Sequence, residues 1–282
     1  MTPNVQKSFN WKVVLYLFFG GTGGGLFLVG FVLERLSLMV PLARVAEVLG
    51  PIFVLIGCGF LLLHAGSGFK TKIYLLFLKP EKSWISRGTW IIAIFVISAF
   101  IYTGLGRGAF WGWVAGIFSL LMAIYPGFLL AENKAVPLWS NSVLPTLFLV
   151  SGLSTAVAFL LMMGPLLGGA KDEAAMRGFR ILAWMDVFII VTQLVILWNF
   201  LGVKSDKGTT FSESLRLLKG PLFTVGTLLV GLLLPLVLHL FVVTGGKSMG
   251  LGTMTGILLI TGGICLRFAI VRAGVYLPRH SL

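Results

Sequence analysis

Residues 12–33 read KVVLYLFFGGTGGGLFLVGFVL. After Lys12 no charge appears until Glu34 and Arg35, and only Tyr16 and Thr22 interrupt the apolar side chains. About 20 such residues, at about 1.5 Å of helical rise each, cross the ~30 Å hydrocarbon layer of a bilayer. In lipid the backbone must satisfy its own hydrogen bonds, and no alternation of polarity suggests a strand, so the stretch predicts a membrane-spanning helix. Seven further runs match it, at 48–65, 89–106, 111–131, 143–163, 181–201, 222–243 and 251–271. The expected fold is an all-α integral membrane protein of eight transmembrane helices. It forms one polytopic domain over 1–282, built as two four-helix bundles of approximately 1–140 and 141–282. Composition agrees: 57% of residues are hydrophobic, mean hydropathy is +1.01, and only 11% are charged, against about 25% in soluble domains.

An even number of spans puts both termini on one side. The loops on that side carry the larger share of the Lys and Arg that give the chain its net charge of +13. Basic residues placed between apolar runs read as orientation signals and contacts to anionic lipid, not as a nucleic-acid surface, and they put the termini in the cytoplasm. The stretch FKTKIYLLFLK, 69–79, is amphipathic and suits the membrane interface. Cys58 and Cys265 each stand alone in an apolar run, so no disulfide, zinc site or iron–sulfur cluster is expected on this chain. The first run is long, glycine-rich and lacks a small-residue cleavage site, which argues against a cleaved signal peptide.

Polar groups within the spans are costly in lipid and so point to function. Four ionisable ones stand out: His64, Asp186, His239 and Arg267. Asp186 and Arg267 would neutralise each other as a structural ion pair or serve a proton relay with His64 and His239. Bis-histidine haem ligation is disfavoured, because His64 and His239 close helices running in opposite directions. Gly20, Gly21, Gly24 and Gly25 repeat at spacing four, which suits close helix packing or a groove for a flat ligand. Helix direction gathers Tyr16, His64, Arg87, Tyr125 and Trp139 at the terminus face, with Trp84, Ser86 and Trp90 in EKSWISRGTW, 81–90. Donors at interface depth suit an amphipathic ring such as a quinone, whose carbonyls accept hydrogen bonds and become hydroxyls on reduction.

The segments YLFFGGTGGG, KPEKSWISRGTW, YPGFLLAENKAVPLW, LPTLFLVSGLSTA and GGICLRFAIVRAG occur in that order along the chain. With these, the sequence resembles the NrfD/polysulfide-reductase membrane-subunit family over essentially its whole length. The resemblance implies an anchor subunit in a prokaryotic cytoplasmic membrane, exchanging electrons and protons between quinone or menaquinone and a docked ferredoxin-like iron–sulfur subunit. That subunit would be wired to a catalytic molybdopterin subunit. It implies a quinone site in the N-terminal half with no haem or cluster on this chain. Tyr16, Arg87 and Tyr125 would line the pocket, and Trp84 and Ser86 would shape a docking loop. Relatives commonly end the second helix in an Asp-containing motif, where this chain has LHAGSG with His64. A secondary transporter or a structural anchor without quinone chemistry are the other readings, though no repeat between the halves favours transport.

Overall fold

Asn10 caps the first helix, α1 (Trp11–Arg35), by accepting a bond from the Lys12 amide. The computed structural model describes residues 4–65, 83–167, 173–202, 208–244 and 249–277. The amphipathic stretch 69–79 and residues 81–82 lie outside them. After α1 come α2 (Val40–Ala65), α3 (Trp84–Gly104), α4 (Ala109–Ala131), α5 (Leu144–Leu167), α6 (Glu173–Gly202), α7 (Gly208–Leu218), α8 (Leu222–Val243) and α9 (Met249–Arg272). Eight of these are long and apolar enough to cross a membrane, and the chain is a multi-pass membrane protein. The short α7 was not expected. It buries Phe211, Ser214 and Leu218 on one face and exposes Arg216 and Lys219.

Three helices start well before their apolar runs, α6 at Glu173 ahead of the run at 181–201 and two others. α2 begins at Val40 and takes in Arg44 and Glu47, because their charges are matched by partners from other helices. α3 begins at Trp84, so Trp84, Ser86, Arg87 and Gly88 form its opening turns instead of a loop.

α1 is the hub of the molecule and contacts α2, α4, α5 and α9. Lipid offers no hydrophobic drive for helix association, so contact depends on close van der Waals packing. Glycines provide it. A Cβ on Gly23 would sit 2.6 Å from the Gly50 carbonyl, one on Gly24 2.6 Å from the Ser119 carbonyl, and one on Gly25 2.8 Å from the Gly152 carbonyl. The backbone of α1 thus touches α2, α4 and α5 directly. Gly20 faces Met122 and Gly21 faces Arg267, so all four glycines of the spacing-four repeat meet protein atoms.

In α8 the first part, Leu222–Leu233, is a π-helix and the second, Leu234–Val243, is α-helical. Pro235 does not break the span. The winding changes beside it, where the proline has no N–H for an α-helical bond. The N- and C-terminal segments lie side by side. Val5 bridges Val275, the Gln6 amide donates to the Gly274 carbonyl, and the Leu277 amide reaches Ala135 in the α4–α5 connection.

Candidate functional site

A cavity of about 540 Å³ opens at the end of the molecule where the termini meet. α1 contributes Tyr16, the last turn of α2 contributes His64, α4 contributes Tyr125, and the segment before α1 supplies Phe9. The remaining wall is mostly apolar, with Leu61 and Leu62 of α2 facing Ile85 and Ile92 of α3. Tyr16 is fully buried beside Tyr125, and among the described residues its hydroxyl makes no hydrogen bond of good geometry. His64 Nδ1 is also without one, and its ring stacks on Phe9 at 6.4 Å. Buried hydroxyls in folded proteins are nearly always bonded, so an orphan on a cavity wall points to a ligand atom.

The SWISRGTW part of the sequence stretch, residues 83–90, builds one side of this cavity. Gly88 lies flat against the Tyr125 ring, and a Cβ there would overlap the phenol. With the ring so placed, Tyr125 Oη donates to the Trp84 carbonyl at 3.2 Å. Trp84 stacks on Phe128 at 4.7 Å, and the Arg87 guanidinium lies 4.8 Å above the Trp84 ring.

Three of the five expected quinone residues therefore meet: Tyr16, His64 and Tyr125. Arg87 does not line the cavity. It lies in an adjoining recess of about 370 Å³ with Trp84, Phe128 and Lys134, which shares Ser83 and Glu132 with the cavity. Trp139 stands behind the wall. It is fully buried, its Nε1 donates to the Ile270 carbonyl at 2.9 Å, and it meets Phe9 edge-on at 5.3 Å. Of the expected docking residues, Trp90 is exposed, Trp84 lies under Arg87, and Ser86 is buried within α3 and offers no docking surface.

A second polar group runs through the middle of the protein. Ser151, Ser154 and Thr155 lie on neighbouring turns of α5. Arg267 is fully buried and donates to the Leu17 carbonyl, Ser151 Oγ and the Gly263 carbonyl at 3.2, 3.1 and 2.8 Å. Thr155 shares a 2.8 Å bond with Thr22. Ser154 donates to Asp186 Oδ1 at 3.1 Å, and Asp186 Oδ2 lies 3.2 Å from His239 Nδ1. The expected Asp186–Arg267 pair is thus corrected. Asp186 pairs with His239, and Arg267 is held by oxygen dipoles and by the faces of Phe18 and Phe148 at 5.3 and 5.6 Å. Charge complementarity suggested the pair, but helix rotation turns each residue toward a different neighbour. Asp186 stands midway along α6.

A third group, at the opposite end of α1, went unread in the sequence. Glu34 accepts from Tyr102 at 2.6 Å, Arg107 at 2.7 Å and Arg44 at 3.1 Å, and Arg107 also binds the fully buried Glu47. Burial works against the Arg107 charge, but Glu47 and Glu34 outweigh it and hold the guanidinium protonated above its ordinary pKa. Both glutamates abut apolar runs and Arg107 sits in a turn, LGRG, joining two spans. That was the available signal. Among the described residues no group of three His, Cys, Asp or Glu side chains could hold a metal ion.

The sequence matches the family model described as "Polysulphide reductase, NrfD" over residues 1–278. It is 27% identical to a "Protein NrfD homolog" of Haemophilus influenzae, over 97% of this chain and 95% of the relative. It is 30% identical to a polysulfide reductase chain of Wolinella succinogenes, over 57% of this sequence and 52% of that one. It is 25% identical to a selenate reductase subunit of Mesobacillus selenatarsenatis, over 55% and 37% respectively. With an eight-span helical fold and a match running nearly end to end, the chain belongs to the NrfD family of polysulphide reductase membrane proteins.

Proposed function

We propose that the protein is the membrane subunit of a respiratory oxidoreductase complex and exchanges electrons and protons with a quinone or quinol held in the 540 Å³ cavity. The observation that carries this reading is the buried, unpartnered Tyr16 hydroxyl in an apolar-walled cavity that also holds His64 and Tyr125. The residues fit such a ring. Tyr16 would donate to a ring oxygen, and Tyr125 Oη, whose own proton goes to the Trp84 carbonyl, would accept from a hydroxyl of the quinol form. His64 would hold or pass a proton, and the Leu61, Ile85 and Ile92 wall would exclude water. When bound, the quinone supplies a carrier of both electrons and protons. Cluster-bearing metals are left to a partner, and we assign this to a ferredoxin-like iron–sulfur subunit linked to a catalytic molybdopterin subunit. The names of the reductase-subunit relatives support only the coarser part of it, a membrane subunit that partners other reductase subunits. Trp84, Arg87 and Lys134 ring the adjoining recess and offer a cationic, aromatic rim for the partner.

Inside the protein, Arg267 meets α1 at the Leu17 carbonyl, one residue from Tyr16. Ser151, Ser154, Asp186 and His239 continue the polar series away from it. We assign this series to proton movement beyond the cavity, with the termini in the cytoplasm and the chain in a prokaryotic cytoplasmic membrane. Replacing Tyr125 with Phe tests the reading. Quinol-analogue binding and quinol-linked turnover should fall while the complex still assembles. Full turnover in the variant would refute the pocket.

A further inference from the structure

From the geometry at the end of α1 farthest from the cavity, we infer that Glu34 and Glu47 form a proton-sharing carboxyl pair, a proton-binding site facing the water on that side. Glu34 lies eighteen positions after Tyr16 on α1, about 27 Å along the axis. The two carboxyl groups converge on the same Arg107 nitrogen, Nη1. Their surroundings differ. Glu34 has three donors, from Tyr102, Arg107 and Arg44. Glu47 is fully buried and, among the described residues, has only the shared Arg107 bond, with Oε1 unpartnered. A buried carboxylate that lacks donors is the costlier charge, so Glu47 takes the proton and Glu34 keeps its charge as the acceptor.

The groups around the pair fit this role. α1 adds Arg35, whose guanidinium lies 5.0 Å over Phe31. α2 adds Arg44, α3 adds Tyr102, and the α3–α4 turn adds Arg107. α5 has no titratable side chain, and α6 brings Arg177 and Arg180, which form no ion pair with either carboxylate among the described residues. Accessibility falls inward, from an Arg44 side chain 57% exposed through Arg107 at 23% and Glu34 at 14% to Glu47 at 0%. The backbone adds a second mark. Arg107 has φ +60°, left-handed for a residue with a Cβ, directly after Gly106 at +97°. That strain turns the guanidinium under the bundle, and such strain persists where surrounding contacts over-determine it.

The pair does not belong to the cavity's own proton route. Phe27, Phe31, Phe95 and Tyr102 form a buried aromatic block between them, with ring centroids 5.4–6.2 Å apart. The nearby Ser98 and Ser119 hydroxyls are used on carbonyls of their own helices. The site therefore reads the pH of the far side alone, and it stands whether or not the cavity binds quinone.

Infrared difference spectroscopy of the full chain in lipid nanodiscs, acid minus neutral, tests it. Among the carboxyl bands of the wild type, one in the buried-carboxyl region should disappear in E47Q and be unaffected by a quinol analogue. An undiminished band in E47Q, or no band in the wild type, overturns the assignment. If E47Q does not accumulate in membranes, Tyr102→Phe decides. Loss of a donor to ionised Glu34 should make the pair take up its proton at higher pH, and an unchanged titration overturns the assignment equally.

Discussion

Gly88→Ala is a one-methyl change that should damage the cavity from outside it. The added Cβ would overlap the Tyr125 ring, and α3 cannot retreat easily because Trp84 is stacked on Phe128. Tyr125 must swing away and give up its bond to the Trp84 carbonyl. Overpacking of this kind costs about 1–3 kcal/mol, which should appear as lower thermal stability of the purified protein. A ligand bond lost with the displaced hydroxyl is worth about 1–1.5 kcal/mol, roughly five- to tenfold in Kd. Calorimetric titration of a quinol analogue into nanodiscs should therefore give similar affinity losses for G88A and Y125F. The double variant G88A/Y125F should bind no worse than G88A, because a hydroxyl already displaced cannot be lost twice. Wild-type affinity in G88A, or fully additive losses in the double variant, would refute the idea that Gly88 exists to seat Tyr125.

Other expectations concern the protein's middle. His239→Ala removes the group 3.2 Å from the buried Asp186 carboxyl and should lower stability by about 1–3 kcal/mol, while His239→Ala combined with Asp186→Leu should recover most of it in thermal melts. Arg267→Met should cost about 2–3 kcal/mol by unsatisfying the Leu17 and Ser151 oxygens, and Arg267→Lys should restore only part, since an ammonium cannot reproduce the fork. Gly231→Leu should prevent α8 from seating on Gly262, read as loss of folded protein in membranes, with Leu229→Ala, on an exposed position of α8, as the neutral control. Trp139→Phe removes one buried hydrogen bond to Ile270 and should cost about 1 kcal/mol with little change in ligand affinity, because the indole stands behind Phe9.

The spans were legible because lipid imposes one rule on every residue of a crossing helix, and runs such as 12–33 obey it openly. Helix starts were less so. Arg44 and Glu47 looked like loop residues because their neutralising partners, Glu34 and Arg107, are remote in sequence. The same reason hid the Glu34–Glu47 pair, whose members could be read singly as orientation charges. Tyr16, His64 and Tyr125 were found together because helix direction alone fixes which end of a span a residue occupies. What direction does not fix is rotation about the helix axis. Trp139 and Arg87 share the right depth with the cavity but point elsewhere, and Asp186 turns to His239 instead of Arg267.

The π-wound first half of α8 gives the chain an unusual relation to insertions and deletions. Wider turns absorb residues that an α-helix of the same length would not hold, so Leu222–Leu233 carries slack upstream of Pro235. Removing a single residue there would be taken up by one wide turn closing to the α-helical pitch, leaving the residues beyond it in place. His239 would keep its position against Asp186. The same one-residue deletion in Leu234–Val243, which is already α-wound, has no such slack and would turn the residues that follow it by about 100°.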